Sequence, residues 1–181
     1  GTATNARVSL VTGSGFQYMR TFTDGPESIY FVQARWNGVP SPTNSVQILG
    51  WINQNAFTPL SAMGNALAIM RDPNNASGFN PGLITNLFLI ARSNYNGPTA
   101  NTIVDLGIPY DNVNWGAYKI VYDNVLSEVR VYRDNVLLTT LTDLSNVPAG
   151  LTRGVIPAAA SAGLQAGFYL GNAAAAPATG S

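Results

Sequence analysis

The 181-residue sequence contains no histidine and no cysteine, and only 10% of it is charged. Without cysteine there is no disulfide framework, thiolate nucleophile or zinc ribbon. Without histidine there is no Ser-His-Asp triad, His-ligated metal or imidazole acid and base. Nine basic residues balance nine acidic ones. A neutral chain lacks the cationic surplus that phosphate binding needs, which argues against a nucleic-acid partner. No apolar run approaches the length of a membrane span, so no membrane insertion is expected. The opening Gly1-Thr-Ala-Thr-Asn5 lacks the basic region and apolar core of a secretory leader. Gly1 fits either cleavage of a leader or removal of an initiator methionine. Charged residues normally make up about a quarter of a soluble chain, so much of this surface must be Asn, Thr, Ser, Gln and Gly.

What is present is a series of short β-rich runs separated by Gly, Pro, Asn and Asp. The runs are 7–11, 17–22, 28–36, 45–53, 65–71, 85–92 and 102–106. In 45–53, Val46, Ile48 and Gly50 alternate with Gln47, Leu49 and Trp51. Ala66-Leu-Ala-Ile-Met70 has helical propensity, but it is short and stops at Asp72-Pro73, which favours a strand. The strongest signal is a three-stranded meander, with strands at 118–123, 128–133 and 136–142. Its turns are Asp123-Asn124 and Asp134-Asn135, residues that tolerate the positive φ of tight hairpins. After a Pro/Ala/Gly-rich loop at 147–163, a last strand spans 165–170. No segment has a helical period of ten residues or more. The expected fold is all-β, an antiparallel β-sandwich or jelly roll of about ten to twelve short strands. The expected organisation is a single domain over 1–172 with an Ala/Gly-rich tail at 173–181.

The meander reads Trp115-Gly-Ala-Tyr-Lys-Ile-Val-Tyr-Asp123, then Glu128-Val-Arg-Val-Tyr-Arg-Asp-Asn-Val-Leu-Leu138, and far downstream comes Gly167-Phe-Tyr-Leu-Gly171. This resembles the concanavalin A-like lectin/glucanase superfamily in its laminin-G-like form. There, a Trp-led strand, a strand ending in Tyr-x-Asp-Gly and a final apolar-Gly strand recur. Asn135 stands where the family usually places Gly. The resemblance covers 115–171 and is architectural elsewhere. It implies two stacked antiparallel sheets, one concave, with ligands on the concavity or the rim loops.

Glucanases of this superfamily use two carboxylates, often spaced Glu-x-Asp-x-x-Glu on one strand. This chain has two Glu, Glu27 and Glu128, and neither sits in that spacing. The Asp residues cluster at turns, where they bond their own backbone. The expectation is therefore a chain that is not an enzyme, with a polysaccharide hydrolase or lyase as the third reading.

Calcium takes oxygen ligands, and Asp72, Asn74, Asp111 and Asn114 are its candidates in two Asx-rich loops; no other cofactor is expected. Sugar stacking needs exposed aromatic faces beside amides or carboxylates. Tyr95, flanked by Asn94 and Asn96, and Tyr110, followed by Asp111 and Asn112, fit that pattern. The alternative for both rings is packing over sandwich edges. Trp36, Trp51 and Trp115 are expected in the core, and Arg71, Arg92, Arg130 and Arg133 on solvated sheet surface. Asn75-Ala-Ser77 is a glycosylation sequon in a loop.

The first expectation for function is a non-catalytic jelly-roll module on a cell or virion surface that recognises a glycan or another surface ligand. The second is a structural subunit, such as a virion decoration protein or an extracellular fibre subunit, whose partners are its own copies or viral shell proteins. A surface poor in charge suits both, because repeated contacts there desolvate few ions.

Overall fold

The computed structural model describes residues 16–21, 29–36, 45–52, 65–73, 75, 79–80, 82, 84–93, 100–110, 116–123, 125–147 and 165–172. Ten strands lie within them: β1 (Phe16–Thr21), β2 (Ile29–Trp36), β3 (Ser45–Ile52), β4 (Ala66–Arg71), β5 (Asn86–Ser93), β6 (Ala100–Pro109), β7 (Gly116–Asp123), β8 (Glu128–Arg133), β9 (Val136–Leu141) and β10 (Gln165–Asn172). Among the described residues there is no helix. The expected strand at 7–11 and the tail at 173–181 lie outside them.

The strands form a six-stranded sheet, ordered β1-β10-β3-β4-β5-β6, and a four-stranded sheet, ordered β2-β7-β8-β9. Every pairing is antiparallel. The expected meander is present, with β2 added beside β7. One apolar cluster joins the two sheets, with Leu49, Trp51, Leu67, Ile69, Leu87 and Leu89 from the larger and Tyr118, Ile120, Tyr122, Val129 and Val131 from the smaller. This is the core of a β-sandwich, the architecture implied by the concanavalin A-like resemblance.

The larger sheet has a second apolar cluster on its other face: Val46, Ile48, Ile52, Ala66, Ala68, Met70, Phe88 and Ile90, joined by Phe79. The strict period of two in β3, β4 and β5 assigns alternate side chains to the two clusters. All six residues of β4 are buried in consequence. A strand covered on both faces is a continuous apolar run, and this decides for Ala66–Met70 against its helical propensity.

Turn chemistry sets the register of the smaller sheet. Asp134 and Asn135 have φ of 50° and 66°, the conformation of a two-residue hairpin turn. The Asp134 backbone N–H donates to Ala117 O at 2.8 Å, and its Oδ1 accepts from Ala117 N at 2.8 Å. At the β7–β8 turn, Asp123 Oδ1 accepts from Val125 N at 3.0 Å and Leu126 N at 3.1 Å. The Asp123 carboxylate also binds Arg130, 2.9 Å from Nη2.

Strand β6 is longer than its sequence suggests, running through Gly107 to Pro109. Leu87 pairs with Ile108 while Phe88 pairs with Asp105, so Leu106 and Gly107 form a bulge. Gly107 has φ of 67°, and Asp105 Oδ1 accepts its N–H at 2.8 Å. Asn86 Nδ2 clamps the same carboxylate at 3.0 and 3.1 Å. The glycine that reads as a strand end is therefore a bend within one.

Gly50 is the most tightly enclosed of the described glycines Gly50, Gly82, Gly107 and Gly116. It lies between Ala68 of β4 and Gly167 of β10 with φ of 153°. A Cβ there would meet Leu67 O at 2.3 Å and Ala68 Cα at 2.5 Å, both backbone atoms. Gly50→Ala is expected to cost at least about 2 kcal/mol in urea denaturation. Gly82→Ala, where nothing lies within 4 Å of the new Cβ, should stay within about 0.5 kcal/mol of the parent.

Candidate functional site

At one rim of the larger sheet, where β4 ends, β5 begins and β6 ends, Arg71 and Asp72 meet Tyr110. The Asp72 backbone N–H donates to the Tyr110 hydroxyl at 3.3 Å. The Arg71 guanidinium lies over the Tyr110 ring, 5.3 Å from its centroid. Tyr110 N donates to Thr85 O at 3.2 Å. Asn80, fully buried, holds the rest of the rim together. Its Nδ2 donates to Asp72 O at 2.9 Å and Ile84 O at 3.0 Å, and its Oδ1 accepts from Ile84 N at 2.7 Å. Asn75, at a φ of 51°, accepts the Asn80 backbone N–H on its Oδ1 at 2.7 Å. The amide of the predicted sequon thus already serves as a brace.

Burial pulls the Arg71 guanidinium below its ordinary value, opposed by Tyr110 and Asp72. Burial pushes the Tyr110 phenol up to about 12, opposed by its bond from Asp72. The phenol stays neutral and accepts a hydrogen bond at neutral pH.

This arrangement bears directly on the sequence candidates. The Tyr110 ring is 8% exposed and belongs to the sandwich core, the edge-covering alternative. A sugar could stack on it only if Arg71 moved away. Asp72 is fully buried. Among the described residues no group of three or more Asp or Glu is placed to hold a metal ion. Asn74, Asn94, Tyr95, Asn96, Asp111, Asn112 and Asn114 lie outside the described residues, as does Trp115; Trp51 is in the core as expected.

Three of the four arginines correct their expectation, and Arg130 keeps to the sheet surface. Arg71 is buried. Arg92 lies 4.6 Å from the Phe79 ring centroid, and Arg133 lies 5.8 Å from that of Tyr118. Arg130 bridges Asp123 and Glu128, the latter at 3.1 Å. A guanidinium is weakly hydrated and flat, so at a strand end it covers an aromatic ring rather than standing in water.

The second region is the outer face of the smaller sheet, which sequence reasoning missed. Among the described aromatic side chains, Trp51, Phe79, Phe88, Tyr110, Tyr118 and Tyr122 are buried, whereas Tyr132 is half-buried. In β8 the buried Val129 and Val131 alternate with Arg130 and Tyr132. Tyr132 pairs with Lys119 on β7 and Leu137 on β9. Lys119 Nζ lies 4.8 Å from the ring centroid. The outer face of the larger sheet differs: β3, β4 and β5 carry the buried apolar cluster there, and the exposed Asp105 of β6, paired opposite Phe88, puts a carboxylate at its β6 side.

A scan against models of protein families finds no match, and a search of curated proteins finds none either. Solved structures similar to this chain include a Bacillus licheniformis β-glucanase, with 19% identity, a TM-score of 0.38, and coverage of 83% of this chain and 55% of that one. A family 16 endo-glucanase from Bacteroides ovatus gives 12%, 0.42, 88% and 69%. A β-agarase A, in complex with oligoagarose, gives 10%, 0.43, 82% and 51%. The chain thus spans only about half the length of the β-glucanase and the agarase. No reaction is carried over from these proteins. The expectation that the chain is not an enzyme is nevertheless corrected, since the structures it is similar to are glucanases and an agarase. Its physical weakness is plain: a Glu-x-Asp-x-x-Glu spacing is one way to face two carboxylates, and carboxylates from separate segments are another.

The Tyr110 environment predicts an alkaline transition. A folded-state value of about 12 against an ordinary 10.0 means that the unfolded chain loses this proton first. Stability is therefore complete below pH 10 and falls as pH rises towards 12. Tyr118 is raised in the same direction by burial. In Tyr110→Phe the alkaline loss should shrink, read by thermal melts between pH 9 and pH 12. At pH 7 the same variant should lose about 1 kcal/mol with the hydrogen bond from Asp72.

Proposed function

We propose that this β-sandwich binds carbohydrate on the outer face of its four-stranded sheet, with Tyr132 as the stacking surface. The observation that carries the reading is the position of Tyr132, the described aromatic ring left half-buried while the others are packed away. An aromatic ring on a pleated surface offers a flat apolar face to the C–H side of a pyranose. The Lys119 ammonium lies over this ring, 4.8 Å from its centroid; on its flexible stem it swings aside as a sugar stacks and donates hydrogen bonds to the sugar hydroxyls. Thr140 is exposed on the neighbouring strand and adds an uncharged donor and acceptor. The resemblance of residues 115–171 to concanavalin A-like proteins supports the same class of ligand. β-Glucan oligosaccharides and oligoagarose are the first ligands to try, being the kinds of sugar named with the similar structures.

Isothermal titration calorimetry with these oligosaccharides tests the reading. The parent chain should bind at least one of them. Tyr132→Ala should weaken binding tenfold or more while moving the melting temperature by less than about 5 °C. Absence of binding to every oligosaccharide, or undiminished binding by Tyr132→Ala, overturns it. A reducing-end assay on the same samples reports any hydrolysis separately.

A further inference from the structure

We infer that β9 is a pairing edge for a second copy of this chain. Among the described strands β9 ends the four-stranded sheet, so its outward backbone N–H and C=O groups face no other described strand. Its sequence, Val136-Leu-Leu-Thr-Thr-Leu141, contains no charge, proline or glycine. Val136 is 64% exposed and Leu137 49%. Such an edge is a template for another strand.

The edge strand β6 of the larger sheet is a contrast within the same molecule. It carries the exposed, charged Asp105, a bulge at Leu106 and Gly107, and Pro109, which has no N–H. These features block edge-to-edge pairing. β9 also has a bulge, one extra residue opposite β8 at Leu138, but it carries neither charge nor proline. Of these two edges, charge and proline protect β6 alone.

Charge selects a second copy as the occupant. An antiparallel, two-fold pairing of β9 with itself sets an uncharged run against an uncharged run, so no like charges face each other along the strand. The whole chain is formally neutral, with nine charges of each sign, so two copies carry no net repulsion. A strongly charged partner finds no ion on this strand to recognise. The contact is one strand wide with two exposed aliphatic side chains, well below the standard size of a stable interface. The dimer is therefore weak and concentration-dependent. It joins two four-stranded sheets into one of eight, and puts the two copies of β8 three strand spacings apart, about 14 Å.

Sedimentation velocity from about 1 μM to about 1 mM, a range bracketing weak association, tests the inference. The weight-average mass of the parent should rise towards twice that of the chain. The double variant Val136→Lys, Leu137→Lys should stay at the monomer mass throughout with an unchanged melting temperature, because both positions are exposed. Hydrogen exchange on the parent, read at both ends of the concentration range, should show amides of 136–141 gaining protection as the dimer forms. This second readout stands even if the double variant does not fold. A parent that stays monomeric overturns the inference. So does a folded double variant that associates undiminished, or association without added protection at 136–141.

Discussion

The larger sheet has to be covered on both faces, and much else follows from that constraint. β3, β4 and β5 send alternate side chains into two apolar clusters. Their central residues consequently have no water-facing positions for charge. This accounts for part of the low charge content more economically than an unusual surface does. It also explains the small residues on the second face, where Gly50, Ala66 and Ala68 lie side by side. Close packing between neighbouring strands leaves no room for a larger group at Gly50.

In β4 and β5, the strand ends carry the cations that the strand middles cannot. Arg71 and Arg92 terminate β4 and β5 by lying over Tyr110 and Phe79, each the edge of an apolar cluster. Arg133 does the same over Tyr118 at the end of β8. The flat cation seals the end of a layer and still keeps hydrogen-bonding groups for solvent or neighbours. The rim beside Arg71 is held by backbone groups that bond to Asn75, Asn80 and Tyr110, so its shape depends on uncharged donors and acceptors.

The sandwich and its meander were legible in the sequence because period-two alternation and Asx turns are local signals. Asp134-Asn135 took the positive φ values expected of it. The length of β6 was not legible. Gly107 punctuates the sequence, and only its pairing with β5 reveals that the strand resumes beyond it. The meeting of Asp72 with Tyr110 was also hidden, being a contact across 38 residues. The ring that makes it is one of the two, Tyr95 and Tyr110, that the sequence offers for sugar, and it is buried. Tyr132 could have been found from the alternation of Val129 and Val131 with Arg130 and Tyr132. In the sequence alone, an aromatic inside a strand reads by default as core. Three of the arginines were misplaced for a related reason: composition says how many cations there are and nothing about which ring lies beneath each one.

The order of the larger sheet bears on how the chain reaches its native state. β10 lies between β1 and β3, both more than a hundred residues upstream. By contrast, β4, β5 and β6, and likewise β7, β8 and β9, pair with their immediate sequence neighbours. Loop-closure entropy makes the local sets quick to assemble and the distant pairing slow. Until β10 docks, β3 offers a bare apolar edge and β1 has no strand beside it. Contact order then sets two late events, the pairing of β2 with β7 and the insertion of β10 into the gap between β1 and β3, and aggregation has until they are complete to compete.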